Sequence, residues 1–322
     1  MKRLIPGSAV LVALALVVPV LRADVRTREK TTFKMEGLMG AFLNRAMGGA
    51  DGVTSNVALK GNRMARFDDK TSMITDLTEE KIYSLDLKDK EYSVMTFAEM
   101  RAQLEKMKQD MAKQQKDMDP ADKQKLEEAG KELEIDVDVK QTGQSKSLAG
   151  HDTKEHILTL TLRAKGKTLD EGGGMVMTNT MWMAPRVAGL DELAAFSLKM
   201  FKAVYGEAFD ARQLGAVSAL LPGLSQLAAR MEPEMRKLQG TPLATTTVYE
   251  TVRSQEQMKA AASQQPASGG GLGGMIGRKI MGGRGQVTQR STMLTTTSET
   301  LSIATTVPET DVAIPAGFKL KK

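Results

Sequence analysis

The sequence predicts an α+β protein built mainly of antiparallel strands, and three observations carry that prediction. Apolar and polar residues alternate at period two in about nine or ten segments between Val25 and Val307. In two internal blocks, 98–133 and 191–238, the apolar spacing changes to three, four and seven residues. Several strand segments are separated only by short turn-forming stretches, as in a meander.

The chain opens with Met1-Lys2-Arg3, a ten-residue apolar run from Ala9 to Val18, and Leu21-Arg22-Ala23 before polar sequence begins. This three-part pattern predicts a secretory signal peptide over residues 1–23. The run is short for a bilayer span, which needs roughly 20 residues. The expected product is a single periplasmic or secreted domain, 24–322. Cysteine is absent, so neither disulfides nor a lipid-attachment cysteine are expected.

The first strand is predicted over Val25–Glu36, where Val25, Thr27, Thr31, Phe33 and Met35 alternate with Arg26, Arg28, Lys30 and Lys34. A second covers Val53–Phe67, with Gly61-Asn62 as a turn or bulge within it. Ser72–Leu77, Ile82–Leu87 and Glu91–Phe97 follow, the last two joined by Lys88-Asp89-Lys90 at hairpin length. In the block 98–133, Met100, Leu104, Met107, Met111 and Met118 form a narrow stripe among charges, so a solvated helical excursion is expected. Asp119-Pro120 is suited to start a second helix there.

Strand character returns at Leu133–Val139, Glu155–Arg163 and Met175–Met183, the last holding the only tryptophan, Trp182. Two or three amphipathic helices are expected in 191–238, the first with Leu193, Phe196, Met200, Phe201 and Val204 on its stripe. Ala244–Arg253 and the Thr-rich Gln286–Val307 read as strands. Between them, 255–285 ends in nine glycines from Gly269 to Gly285 and reads as a flexible loop.

Composition removes several function classes. The 322 residues carry a formal charge of +6, and Lys2, Arg3 and Arg22 of the signal account for three of those charges. Aromatic residues make up 4%, so the clustered basic face with stacking rings that nucleic acid requires is not expected. Gly269, Gly271 and Gly274 match G-x-G-x-x-G without the strand before it and the helix after it, and no cofactor is expected. His151 and His156 are the only histidines; their spacing directs them apart, and neither H-E-x-x-H nor G-x-S-x-G occurs. Glu134, Asp136 and Asp138 share a strand face and read as the wet side of a sheet. No metal site or catalytic cluster is expected.

Several short motifs occur in a recognisable order: Val57–Met64 (VALKGNRM), Ile82–Asp86, Lys90–Met95, Leu148–Glu155 (LAGHDTKE), Met181–Ala184 and the terminal Ile314–Lys319 (IPAGFK). In this order the chain resembles an exported bacterial domain family of unknown function that is similar to the outer-membrane lipoprotein carrier superfamily. The resemblance implies a curved antiparallel sheet, a half-barrel with helices over its concave side, and an apolar concavity that holds acyl chains. It supplies no catalytic residue. Related sequences often carry Cys in the strand after the Ala-Gly pair, whereas this chain has Thr153.

The expected function is non-enzymatic periplasmic binding of an apolar or amphipathic ligand, such as an acyl chain or acylated protein. Phe33, Met35, Leu59, Tyr83, Leu85, Trp182, Phe196 and Met200 are the candidate lining, chosen as large apolar side chains on inward faces. The 22 methionines suit either core filling or an adaptable pocket. Two Gly- and Met-rich loops, 37–50 and 271–283, are candidates for contact with a membrane or an envelope protein. The alternative is an envelope structural or interaction module with a filled core and no ligand. A hydrolase would need a polar cluster that two histidines and no cysteine do not supply.

Overall fold

Two antiparallel meanders lie side by side in one open sheet of twelve strands. The computed structural model describes residues 24–36, 40, 51–117, 119, 132–206, 224–263 and 288–321. The predicted signal 1–23, the loop 37–50 apart from Gly40, the helix expected from Pro120, and the loop 271–283 lie outside the described residues.

The first meander contains β1 (Val25–Met35), β2 (Val53–Lys60), β3 (Arg63–Phe67), β4 (Thr71–Asp76), β5 (Lys81–Asp86) and β6 (Glu91–Thr96). The second contains β7 (Leu133–Leu148), β8 (His151–Ala164), β9 (Gly174–Ala184), β10 (Thr241–Val252) and β11 (Arg290–Ala304). β1 pairs with β11 and joins the two, leaving β7 at one edge. At the other edge β12 (Lys319–Leu320) pairs with β6 in parallel, so the sheet is mixed rather than wholly antiparallel.

Twelve strands replace the nine or ten expected. Gly61-Asn62 is a true hairpin turn between β2 and β3, with Gly61 at φ +60°; β12 is too short to show alternation. β7 and β8 also run on to a tight turn at Ala149 (φ 47°) and Gly150 (φ 80°). Thr153, at the position where relatives often carry Cys, is buried, and its hydroxyl donates to the Lys146 carbonyl at 2.7 Å.

Among the described residues five α-helical segments accompany the sheet: α1 (Phe97–Asp117), α2 (Leu169–Gly172), α3 (Leu190–Tyr205), α4 (Leu224–Met235) and α5 (Gln255–Ser263). Three begin at capping boxes, in which the first side chain and the third exchange hydrogen bonds with each other's backbone. The pairs are Thr96 with Glu99, Thr168 with Glu171, and Ser254 with Gln257. The last corrects the flexible reading of 255–285 over its first nine residues, because Ser254-Gln255-Glu256-Gln257 supplies a helix start that the later glycines obscured.

Paired residues on neighbouring strands point to the same side of a sheet, so the register assigns each to a face. One row runs Met95, Ile82, Thr75, Met64, Leu59 and Val25 from β6 to β1. On the same side of the second meander lie Leu294, Tyr249, Met177, Leu160 and Val137, reached from Met35. We call this the Leu59 face. The opposite, Tyr83 face carries Val94, Tyr83, Ile74, Ala65 and Ala58.

The two faces are covered differently. α3 packs on the Leu59 face, bringing Phe196 against Val25 and Leu59, with Leu190 and Leu193 beside it. α4 packs on the same face farther along, where Met231 joins Leu158, Met181 and Met183. It also guards the β7 edge: the Val139 amide donates to Glu234 Oε2 at 3.1 Å, and Lys237 holds that carboxylate at 2.6 Å. α1 leans on α3, with Arg101 Nη1 donating to the Ala203 carbonyl at 2.5 Å.

On the Tyr83 face the chain after β11 returns across the first meander. Val307 and Val312 are buried against Ala58, Ala65, Ile74, Tyr83 and Leu85, and Ile314 and Phe318 flank them. Lys60 Nζ donates to the Val307 carbonyl at 3.0 Å, and Arg26 pairs with Asp311 at 3.0 Å. Over β7 to β10 this face is mainly polar, with Val176 and Val252 as buried exceptions. There Arg163 pairs with Glu134 and Asp136 at 3.0 and 2.8 Å.

A methionine-lined candidate binding face

Among the described residues nine methionines lie in strands, and the register places eight of them on the Leu59 face: Met35, Met64, Met73, Met95, Met175, Met177, Met181 and Met183. The ninth, Met293, sits in the β11 irregularity opposite Tyr249 and Glu250. Strand alternation alone would divide such residues between the two sides. Their segregation makes one face both apolar and soft, because an unbranched thioether chain adopts many shapes at small cost. Several remain solvent-accessible: Met73 is 43% exposed, Met95 39% and Met175 41%. Phe33, Met35, Leu294, Tyr249 and Met177 are partly buried on the same side.

The eight residues singled out from sequence do not converge on one site. Phe33, Met35 and Leu59 lie on the methionine-lined face, and Phe196 and Met200 stand one turn apart on α3. Leu59 and Phe196 close tightly on each other: the space they border with Leu77 and Lys199 is only about 20 Å³. They form a seal under α3 rather than a chamber.

Tyr83, Leu85 and Trp182 belong to the other face. Tyr83 and Leu85 are core residues under the returning C-terminal segment. Trp182 pairs with Ala244 and Glu155, and Lys146 Nζ stands 4.1 Å from its ring centre. Its size marked it for an inward position, but its parity with Met181 and Met183 turns it to the polar side. That same parity is the signal passed over: Met175, Met177, Met181 and Met183 all occupy odd positions.

His151 and His156 both lie in β8, five residues apart, and so face opposite sides. His156 shares its side with Leu158, and its Nδ1 is 3.3 Å from the Lys154 carbonyl oxygen. Among the described residues no group of three or more His, Asp or Glu is placed to hold a metal, and no helix is long and apolar enough to cross a membrane.

Tyr83 holds a turn together. Arg63 Nε donates to Asp76 at 2.6 Å, its Nη2 reaches Glu79 at 3.0 Å, and the Tyr83 hydroxyl donates to Glu79 at 2.6 Å. Burial pushes the Asp76 carboxyl up, but bonds from the Glu79 amide, Arg63 and the Thr78 amide outweigh it and hold the group below its usual range. Burial, then Glu79, pushes the Tyr83 phenol up to about 12.

Because that folded value lies above the free phenol's 10.0, the protonated phenol stabilises the fold fully below about pH 10. Its contribution is lost as pH rises through about 12. A late phenolate absorbance step at about pH 12 is therefore expected from Tyr83. Tyr83→Phe should remove that step and cost about 1 kcal/mol, a figure reduced for the exposure of Glu79. Persistence of the late step in Tyr83→Phe would assign it elsewhere.

Set beside known proteins, the chain matches no family model and no curated sequence.

Proposed function

We propose that the protein is an exported, non-catalytic carrier that holds an apolar or amphipathic ligand, such as an acyl chain, on the methionine-lined face. In this reading the open sheet is a half-barrel, its Leu59 face is the concave side, and α3 and α4 flank the ligand. The protein works in the periplasm, released by cleavage of its signal, and takes its cargo from a lipid or an acylated protein. The observation that carries the proposal is the placement of eight strand methionines on one face, the face on which both helices pack.

The mechanism is burial. Each methylene taken from water onto such a face contributes about 0.8 kcal/mol. Two added methylenes should therefore tighten binding by roughly tenfold. Delipidated protein titrated with a fluorescent fatty acid is expected to show saturable binding with that chain-length dependence. A flat titration across chain lengths would favour the filled structural module instead.

A further inference from the structure

A cavity of about 510 Å³ opens where α4 passes the beginning of β7, and its lining differs from the rest of the methionine-lined face. Leu133, Ile135 and Ala229 supply apolar walls, and Lys165 and Arg230 supply two cations. Its one acid, Glu134, is already engaged: it pairs with Arg163 at 3.0 Å and accepts the Gly166 amide at 3.3 Å. Lys165 and Arg230 have no ion-pair partner among the described residues. The site is therefore apolar inside with two positive charges left to satisfy.

Its position connects it to the face described above. Ile135 pairs with Leu162, and Leu162 with Met175, on the Leu59 side of the sheet. From Met175 the surface continues to the partly buried Met177, beyond which Met181 is buried beneath α4. An apolar chain lying along Met175 and Met177 would end beside the two cations. The volume falls in the range of small-molecule sites, about 300–1,000 Å³.

We infer that this cavity receives the anionic end of a single-chain amphiphile, with Lys165 and Arg230 facing its carboxylate or phosphate and the chain extending over Met175. The inference rests on the proposed carrier function and narrows its ligand class. An uncharged chain of equal length gains the same burial without the charge attraction, so the protein discriminates by headgroup.

Dodecanoate, dodecyl phosphate and dodecanol, titrated against the full mature chain by calorimetry at low salt, test this. The anionic ligands are expected to bind about tenfold tighter than the alcohol, with the gap shrinking as salt is added. The carboxylate and phosphate arms show which headgroup is preferred. In Lys165→Gln/Arg230→Gln, both of whose sites are exposed, the gap should close while dodecanol binding stays unchanged and the thermal melt is unaltered. Equal affinity for all three in the unmodified protein, or an undiminished gap in the variant, overturns the inference and leaves the carrier reading intact. Failure of all three to bind overturns both.

Discussion

Truncation after Thr306 is expected to unfold the protein, although it removes only a segment with almost no regular structure. Val307 and Val312 are 3% and 2% exposed, and with Ile314 and Phe318 they cover Ala58, Ala65, Ile74, Tyr83 and Leu85. Fully burying such a side chain contributes about 1.5–3 kcal/mol. The two buried valines, with the partly buried Ile314 and Phe318, therefore supply a large share of a typical domain's stability of about 5–15 kcal/mol. The deletion also strips Arg26 and Lys60 of Asp311 and Glu309, and removes the two-residue strand that pairs with β6. Circular dichroism of the truncated chain should show no cooperative melt. A melt within about 4 °C of the full-length protein would mean that the segment is an ornament on an already closed core.

That dependence explains why part of the structure was legible in the sequence and part was not. Period-two patterning located the strands wherever one side was buried, as in β8 with Leu158, Leu160 and Leu162. It stopped at Val139 in β7 because Lys140–Ser147 is exposed on both sides, so no alternation marks the rest of that strand. Helix starts were legible where the apolar period changed, near Ala98 and Asp191; at Gln255 the signal lies in the cap instead, since Ser254 and Gln257 form a full capping box before the glycine-rich stretch.

The candidate site shows the same division. Parity within a strand is local information, and it places Phe33, Met35 and Leu59 together. What covers a face is not local. Tyr83 and Leu85 were recognised as inward, but the layer sealing them comes from residues more than 200 positions later in the chain. Trp182 differs for a simpler reason: its place between Met181 and Met183 turns it to the opposite face, whatever its size.

Met175→Glu separates a ligand-bearing surface from an incidental one. Met175 is 41% exposed, so replacing it creates no cavity and should change stability by no more than about 0.5 kcal/mol. Its cross-strand neighbours on the same face are Leu162 and Thr251. A carboxylate there must be desolvated, or must exclude the chain, whenever an apolar ligand lies along Met175 and Met177; that penalty is several kcal/mol before relaxation. Affinity for a fluorescent fatty acid is therefore expected to fall at least about tenfold. Thr178→Glu supplies the matched control, because it adds the same charge three residues away on the opposite, polar face, where Thr178 pairs with Val248 and Thr159. Trp182→Ala, also on that face, should leave affinity unchanged. If Met175→Glu and Thr178→Glu weaken binding equally, the effect is long-range charge, and the methionine face loses its claim to the ligand. If only Met175→Glu acts, the segregation of methionine to one side of the sheet is the basis of recognition.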